Sequence, residues 1–247
     1  MPLTQIALAA PAYNEAENIV PVLTEWSDHL KARFPDGAYE IVVCNDGSRD
    51  RTGAILDDLA TSMHGLKPVH HPKNRGAAAA LTTAIAATTK PWVLLIDSDG
   101  QFPITNLELL ERAMDSAAKA YIGVRATKHD SAFARLGSWG SGALCNAVHG
   151  THYRDFNSAF KLVDGPLLRS IPLEAKGLNY STEITSRLLE RGVTLKEVEI
   201  EHRARERGQS SMRALRGGLH RSLFVSYVAM RQALLKLDVI QQGGRPS

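Results

Sequence analysis

The run Asp97-Ser98-Asp99-Gly100-Gln101 sets two carboxylates one residue apart directly after an apolar stretch. Two such carboxylates on one loop can reach the same hard cation. Mg2+ and Mn2+ take oxygen ligands and keep waters or share diphosphate oxygens. Gln101 can add a carbonyl oxygen, so Asp97, Asp99 and Gln101 read as a metal and diphosphate site. A turn carrying two solvated acids is the competing reading. Asn74-Arg75-Gly76, followed by Ala77 to Ala80, is a second phosphate candidate, because the free N–H groups of a helix start can face an anion. Close helix–sheet packing of small residues explains that segment equally well. Neither G-x-G-x-x-G nor G-x-x-x-x-G-K-S/T occurs, which disfavours a dinucleotide site of the Rossmann type and a P-loop.

These loops need elements to hold them. Ile6 to Ala10 reads as a buried strand, and Asn14 then caps a helix with Glu17 completing a capping box. Ile19, Val22, Leu23, Trp26 and Leu30 recur at helical spacing on one face. Pro35-Asp36-Gly37 is a turn, and Glu40 to Cys44 is a second strand. A helix from Thr52 to Met63, a short strand from Lys67 to His70, an Ala-rich helix from Gly76 to Thr88 and an apolar strand from Trp92 to Ile96 follow. Alternating strands and helices imply a parallel sheet covered on both faces, with ligands at the carboxyl ends of its strands. The polar loops Pro11 to Glu15, Asn45 to Ser48 and Asp97 to Gln101 all fall at such ends.

The chain of 247 residues is 44% apolar and 22% charged, the balance of an ordinary globular protein able to bury its own core. Cys44 and Cys145 are too few for a disulfide framework and read as buried thiols. Net charge is +3, unevenly placed: residues 200–247 hold nine Lys/Arg against three acids, which leaves the rest of the chain negative. The basic end wants an anionic partner. The best apolar run, Leu223 to Met230, is too short to span a membrane. The N-terminus lacks the basic start of a signal peptide, so the expected location is cytoplasmic, or peripheral on a cytoplasmic membrane face.

Taken together, the loops resemble those of family-2 glycosyltransferases with a GT-A fold, and within these the dolichol-phosphate or polyprenyl-phosphate mannosyltransferases. The matching segments run in order. They are Pro11-Ala12-Tyr13-Asn14-Glu15, Val43-Cys44-Asn45-Asp46-Gly47-Ser48, Asn74-Arg75-Gly76, Asp97 to Gln101, Gly123-Val124-Arg125, Asp155-Phe156-Asn157-Ser158-Ala159-Phe160-Lys161, Glu183, and Arg205-Glu206-Arg207-Gly208-Gln209-Ser210. The resemblance implies an α/β fold: a Rossmann-like, mostly parallel sheet flanked by helices over residues 1–211. A basic amphipathic helical extension over 212–247 follows. It further implies that Pro11, Tyr13, Glu15, Cys44 and Asp46 line a donor nucleotide. Asp97, Ser98, Asp99 and Gln101 would hold Mg2+ or Mn2+ and the diphosphate, with Arg125, Arg205 and Ser211 also at the donor. Arg125, Arg135 and Ser138 are placed at an acceptor phosphate. Asp155, Asp99 and Arg125 are the catalytic candidates, Asp155 orienting or activating the acceptor, and Glu183 lies near the site. Three departures stand out: Ser211 replaces the Lys of the Arg-x-x-Gly-x-Ser-Lys loop, Asn45 the first Asp of Asp-Asp-Gly-Ser, and Ala159 the usual Gly.

The implied reaction moves a hexose, mannose by the resemblance, from GDP-mannose or a UDP-sugar to a lipid phosphate by single displacement with inversion. A phosphate monoester is already largely ionised near neutral pH, so little proton removal is needed. Leu215, Leu219, Leu223, Tyr227, Met230, Leu234 and Leu237 recur at helical steps, with Arg213, Arg216, Arg221 and Arg231 off that stripe. Such a helix can lie on an anionic membrane, directly or beside a membrane subunit, or pack on the protein's own core. The same donor half would also serve a family-2 enzyme with a soluble or polysaccharide acceptor, or a non-catalytic sugar-nucleotide-binding subunit. Nucleic acid is not an expected partner, because no aromatics interleave with the arginines.

Overall fold

A computed structural model describes residues 2–126, 132–174, 180–204 and 231, with the side chains of 132–138 excluded. Its elements are β1 (Ile6–Ala12), α1 (Ile19–Arg33), β2 (Tyr39–Asn45), α2 (Thr52–Ala60), β3 (Leu66–His70), α3 (Ala77–Ala87) and β4 (Trp92–Leu95). Then come α4 (Asn106–Arg112), β5 (Ala120–Arg125), α5 (Ala132–His149), β6 (Lys161–Asp164), α6 (Gly165–Arg169), α7 (Tyr180–Glu190) and β7 (Lys196–Ile200). The strands form a seven-stranded sheet in the order β3-β2-β1-β4-β6-β5-β7.

The alternation along each strand divides the core in two. Ile6, Leu8, Ile41, Val43, Leu94 and Tyr121 point to the face covered by α1 and α4, where Leu23, Trp26, Leu107 and Leu110 meet them. Ala7, Ala9, Val42, Val93, Leu95 and Ile122 point to the other face, under Ala80, Leu81 and Ala84 of α3 and Ile184 and Leu188 of α7. Strands buried on both sides have no polar face to show, so they read in sequence as continuous apolar runs. Small residues face small residues where β1 meets α3, which allows the close approach that the Ala-rich helix needs.

The expected parallel order holds for β3, β2, β1 and β4. The sheet then departs from it: β6 runs antiparallel to both β4 and β5, while β5 and β7 are again parallel. The reversal has a chemical consequence. Lys161, the first residue of β6, lies opposite Leu95 near the end of β4 and opposite Ile122 of β5. The segment entering β6 is thus delivered to the sheet edge where β1, β2 and β4 end.

The capping box at Asn14 does not form. Helix α1 starts at Ile19 after Asn18, and Asn14 adopts a left-handed φ of 55°. Its backbone N–H and its side chain are taken by the loop after β2, and those tertiary bonds outcompete a local cap. The second helix also ends earlier than its periodicity suggests, at Ala60.

Candidate active site

The loops after β1 and β2 are laced together. Asn14 N–H donates to Ser48 Oγ at 3.0 Å, Arg49 N–H to Asn14 Oδ1 at 2.8 Å, Glu15 N–H to Thr52 Oγ1 at 2.9 Å, and Ala16 N–H to Asp50 Oδ2 at 3.1 Å. Gly47 (φ 64°) makes the tight turn possible, since a Cβ there would lie 2.4 Å from the Lys73 carbonyl carbon. Pro11, Tyr13 and Glu15 are half-buried beside this lacing, with Glu15 Oε2 accepting from Asn18 Nδ2 at 2.7 Å.

Two residues expected at the nucleotide are instead committed to the protein. Asp46 is 1% exposed. Its oxygens accept from Arg75 N–H at 2.9 Å and Gly76 N–H at 2.7 Å, and Oδ1 lies 2.8 Å from His71 Nδ1. It ties down the loop that opens α3, a job for a buried carboxylate surrounded by donors. Cys44 lies in the core beneath α3, and burial pushes its thiol up to about 12. Its side chain therefore has no surface to offer a ligand.

At the end of β4, Ser98 is buried and donates to the Pro11 carbonyl at 2.7 Å, so it joins the β4 loop to the β1 loop. Gln101 N–H donates to Asp99 Oδ1 at 3.1 Å, and Gln101 is tied to Arg203 by both its backbone carbonyl (2.8 Å) and its amide Nε2 (3.4 Å). Asp97 and Asp99 remain as neighbouring half-buried carboxylates. Burial, and then the charge of Asp99, push the Asp97 carboxyl up to about 6, against a hydrogen bond from Tyr180 and the charges of Arg125 and Lys161. The Tyr180 hydroxyl donates to Asp97 Oδ1 at 2.5 Å. Burial and the Asp97 charge hold that phenol well above its usual range, so it stays a donor. Among the described residues no group of three or more His, Cys, Asp or Glu is arranged to hold a metal. Two repelling carboxylates without a third suit a hard cation that draws its other ligands from diphosphate and water.

Across from this loop, Asp155 is 2% exposed and takes Arg125 in a two-pronged pair: Nε to Oδ2 at 2.7 Å and Nη2 to Oδ1 at 3.0 Å. The Arg125 backbone N–H adds a 3.4 Å bond to Oδ2. Lys161 is 0% exposed; its ammonium donates to the Ser158 carbonyl and, at 2.6 Å, to Ser181 Oγ. Burial brings its pKa down to about 7, although Asp155 and Asp97 pull it up. Glu183, expected near the site, is buried in an ion network instead. It pairs with Arg187 at 3.1 Å and accepts from Glu174 N–H at 3.0 Å. Arg187 also reaches Glu190 at 3.6 Å, and Glu190 lies 3.1 Å from Arg231. Arg231, expected off the apolar stripe of the C-terminal segment, is 5% exposed and held by this pair with Glu190.

The side chains of Arg135 and Ser138, and all of Arg205, Ser211 and the rest of 212–247 except Arg231, lie outside the described residues. Tyr180 is the residue that sequence reasoning missed. Nothing local announces it, because its partner Asp97 is 83 positions away. No helix among the described residues is long and apolar enough to cross a membrane.

The family model described as Glycosyl transferase family 2 matches residues 8–168. Dolichyl-phosphate beta-glucosyltransferase ALG5C of Trichomonas vaginalis is 35% identical over 109 residues, 43% of this chain and 32% of that protein. An undecaprenyl-phosphate 4-deoxy-4-formamido-L-arabinose transferase of Pseudomonas fluorescens is 28% identical over 232 residues, 87% of this chain and 62% of that one. The matches thus span a third of the first relative's length and under two-thirds of the second's. Among solved structures, glucosyl-3-phosphoglycerate synthase of Mycobacterium tuberculosis with Mn2+ and UDP-glucose aligns with a TM-score of 0.69 at 21% identity, over 93% of this chain and 79% of that one. This last likeness is one of fold, the mostly parallel GT-A type of sheet flanked by helices. The family match takes in the loops after β1, β2 and β4 together with the Arg125–Asp155 pair, and the chain belongs to glycosyltransferase family 2.

Proposed function

We propose that the chain transfers a hexose from a nucleoside diphosphate sugar to a polyprenyl or dolichyl phosphate, by single displacement with inversion. The observation that carries this reading is the pairing of two charge centres at one sheet edge: the Asp97–Asp99 carboxylates and, across from them, the Arg125–Asp155 pair. A divalent cation held by Asp97 and Asp99 would neutralise the leaving diphosphate. Arg125 then faces the acceptor phosphate as a guanidinium whose orientation Asp155 sets. With both Asp155 oxygens on Arg125, its role is to position rather than to remove a proton, and an ionised phosphate monoester needs no base. Catalysis is mainly alignment and charge stabilisation.

The dolichyl-phosphate glucosyltransferase relative favours glucose over mannose as the sugar, and on that basis we take UDP-glucose ahead of GDP-mannose as the donor to be tested. By resemblance to the family's Arg-x-x-Gly-x-Ser-Lys loop we assign Arg205 to the donor diphosphate, with Arg207 or Arg213 to supply the cation that Ser211 lacks. We assign 1–211 to the transferase domain and 212–247 to a membrane-facing extension whose basic residues, Arg213, Arg216 and Arg221 among them, suit anionic lipid. The test is incubation of the protein with Mn2+, polyprenyl phosphate and separately UDP-glucose and GDP-mannose. A lipid-linked hexose, with more from UDP-glucose, is expected. Transfer to a soluble acceptor with no glycolipid would overturn the lipid reading.

A further inference from the structure

Helix α7 is buried along nearly its whole length, yet it is rich in polar side chains. Those side chains divide by task. Ser181 Oγ donates to the Ser158 carbonyl, Thr182 Oγ1 to Asn157 Oδ1 at 2.6 Å, and Thr185 Oγ1 to the Phe156 carbonyl at 3.1 Å. Three residues of α7 thus brace the segment that carries Asp155 into β6. Glu183, Arg187 and Glu190 form a buried ionic row that Arg231 extends. The row restrains the helix from turning about its axis, since any rotation would leave buried charges unpaired.

At the head of this pinned helix stands Tyr180. Its ring packs in the same core cluster as Ile184 and Leu188, and its hydroxyl reaches Asp97 Oδ1 at 2.5 Å. We propose that Tyr180 is a positioning residue that fixes the Asp97 carboxylate for a divalent cation, so that α7 links the cation loop to the Arg125–Asp155 pair. The inference rests on the reading of Asp97 and Asp99 as cation ligands. The residue type is the informative feature. A lysine or arginine would orient Asp97 equally well but would cancel its charge and compete with the cation. A phenol orients one oxygen and leaves the negative charge of the site intact. Groups that hold a ligating carboxylate from behind commonly change metal affinity by about 10- to 100-fold when removed.

Tyr180→Phe keeps the ring in the core and removes only the donor. Mn2+ titration of the full chain, read by the electron paramagnetic resonance of free Mn2+, compares wild type, Tyr180→Phe, Asp99→Ala, Asp97→Ala and Asp97→Ala with Tyr180→Phe. Thermal unfolding of the metal-free proteins checks the fold. We expect Tyr180→Phe to weaken Mn2+ binding about tenfold, and to cause no further loss once Asp97 is alanine. Wild-type affinity in Tyr180→Phe, with binding lost in Asp99→Ala, would overturn the role of Tyr180 while leaving the cation site standing. An equal loss on the Asp97→Ala background would also overturn it, because the effect would then not pass through Asp97. Failure of the wild type to bind Mn2+ would remove the cation reading and this inference with it.

Discussion

The two sides of the site are built differently. On the donor side, the loops after β1, β2 and β4 are held largely by neutral hydrogen bonds between backbone and short polar side chains, Asn14 with Ser48 and Arg49 and Ser98 with Pro11; the buried carboxylate of Asp46, on Arg75 and Gly76 N–H, is the charged exception. On the side of Asp155, the support is a set of buried charges: Arg125 with Asp155, the unpaired-looking but hydrogen-bonded Lys161, and the ionic row of α7. Neutral bonds fix a loop shape at modest cost and tolerate loss one at a time. Buried charges hold a guanidinium in one orientation, but each depends on its partner, because desolvation penalises whichever charge is left alone.

That contrast can be broken by substitution. The largest effect is expected for Asp155→Ala, which strands the Arg125 guanidinium and should destabilise the fold by about 3–5 kcal/mol in urea unfolding. A loss near zero would mean that Arg125 finds water or another partner, and that the two sides are supported alike. Lys161→Met tests the buried ammonium through pH. Its pKa in the folded protein is down at about 7, below the ordinary lysine value near 10.5. Between those values the unfolded chain holds more protons than the native one, so wild-type stability rises with pH across that window. Relative to Lys161→Met, the wild type should therefore gain at least about 1.4 kcal/mol, one pKa unit, between pH 7 and 10. A flat difference would show that Lys161 is not held low. The smallest effect is expected on the donor side, where Ser98→Ala removes one neutral bond and should cost about 0.5–1.5 kcal/mol. A cost as large as that of Asp155→Ala would erase the distinction.

The donor side was also the more legible of the two. Its strands alternate with helices, their apolar runs are continuous, and each polar loop begins where such a run stops; all of this is local pattern. Expectations failed where a second, distant contact competed with a local one. Asn14 carries the pattern of a cap, but the loop after β2 takes its side chain. Asp46 looks like a ligand contact, but the start of α3 claims its oxygens. Glu183 was expected near the site and Arg231 off an apolar stripe, and nothing in the local pattern shows the ionic row that buries both.

By itself the sequence determined the sheet-and-helix alternation, the positions of the polar loops and the Asp97–Asp99 pair, because these depend on neighbours a few residues away. The tertiary structure alone decided the direction of β6, the partnership of Arg125 with Asp155 and the reach of Tyr180 to Asp97. The physical reason is separation along the chain. Arg125 and Asp155 are 30 residues apart, and Tyr180 and Asp97 are 83 apart. Such pairs meet only because the order of strands brings them to one edge, and the burial there makes each pairing obligatory.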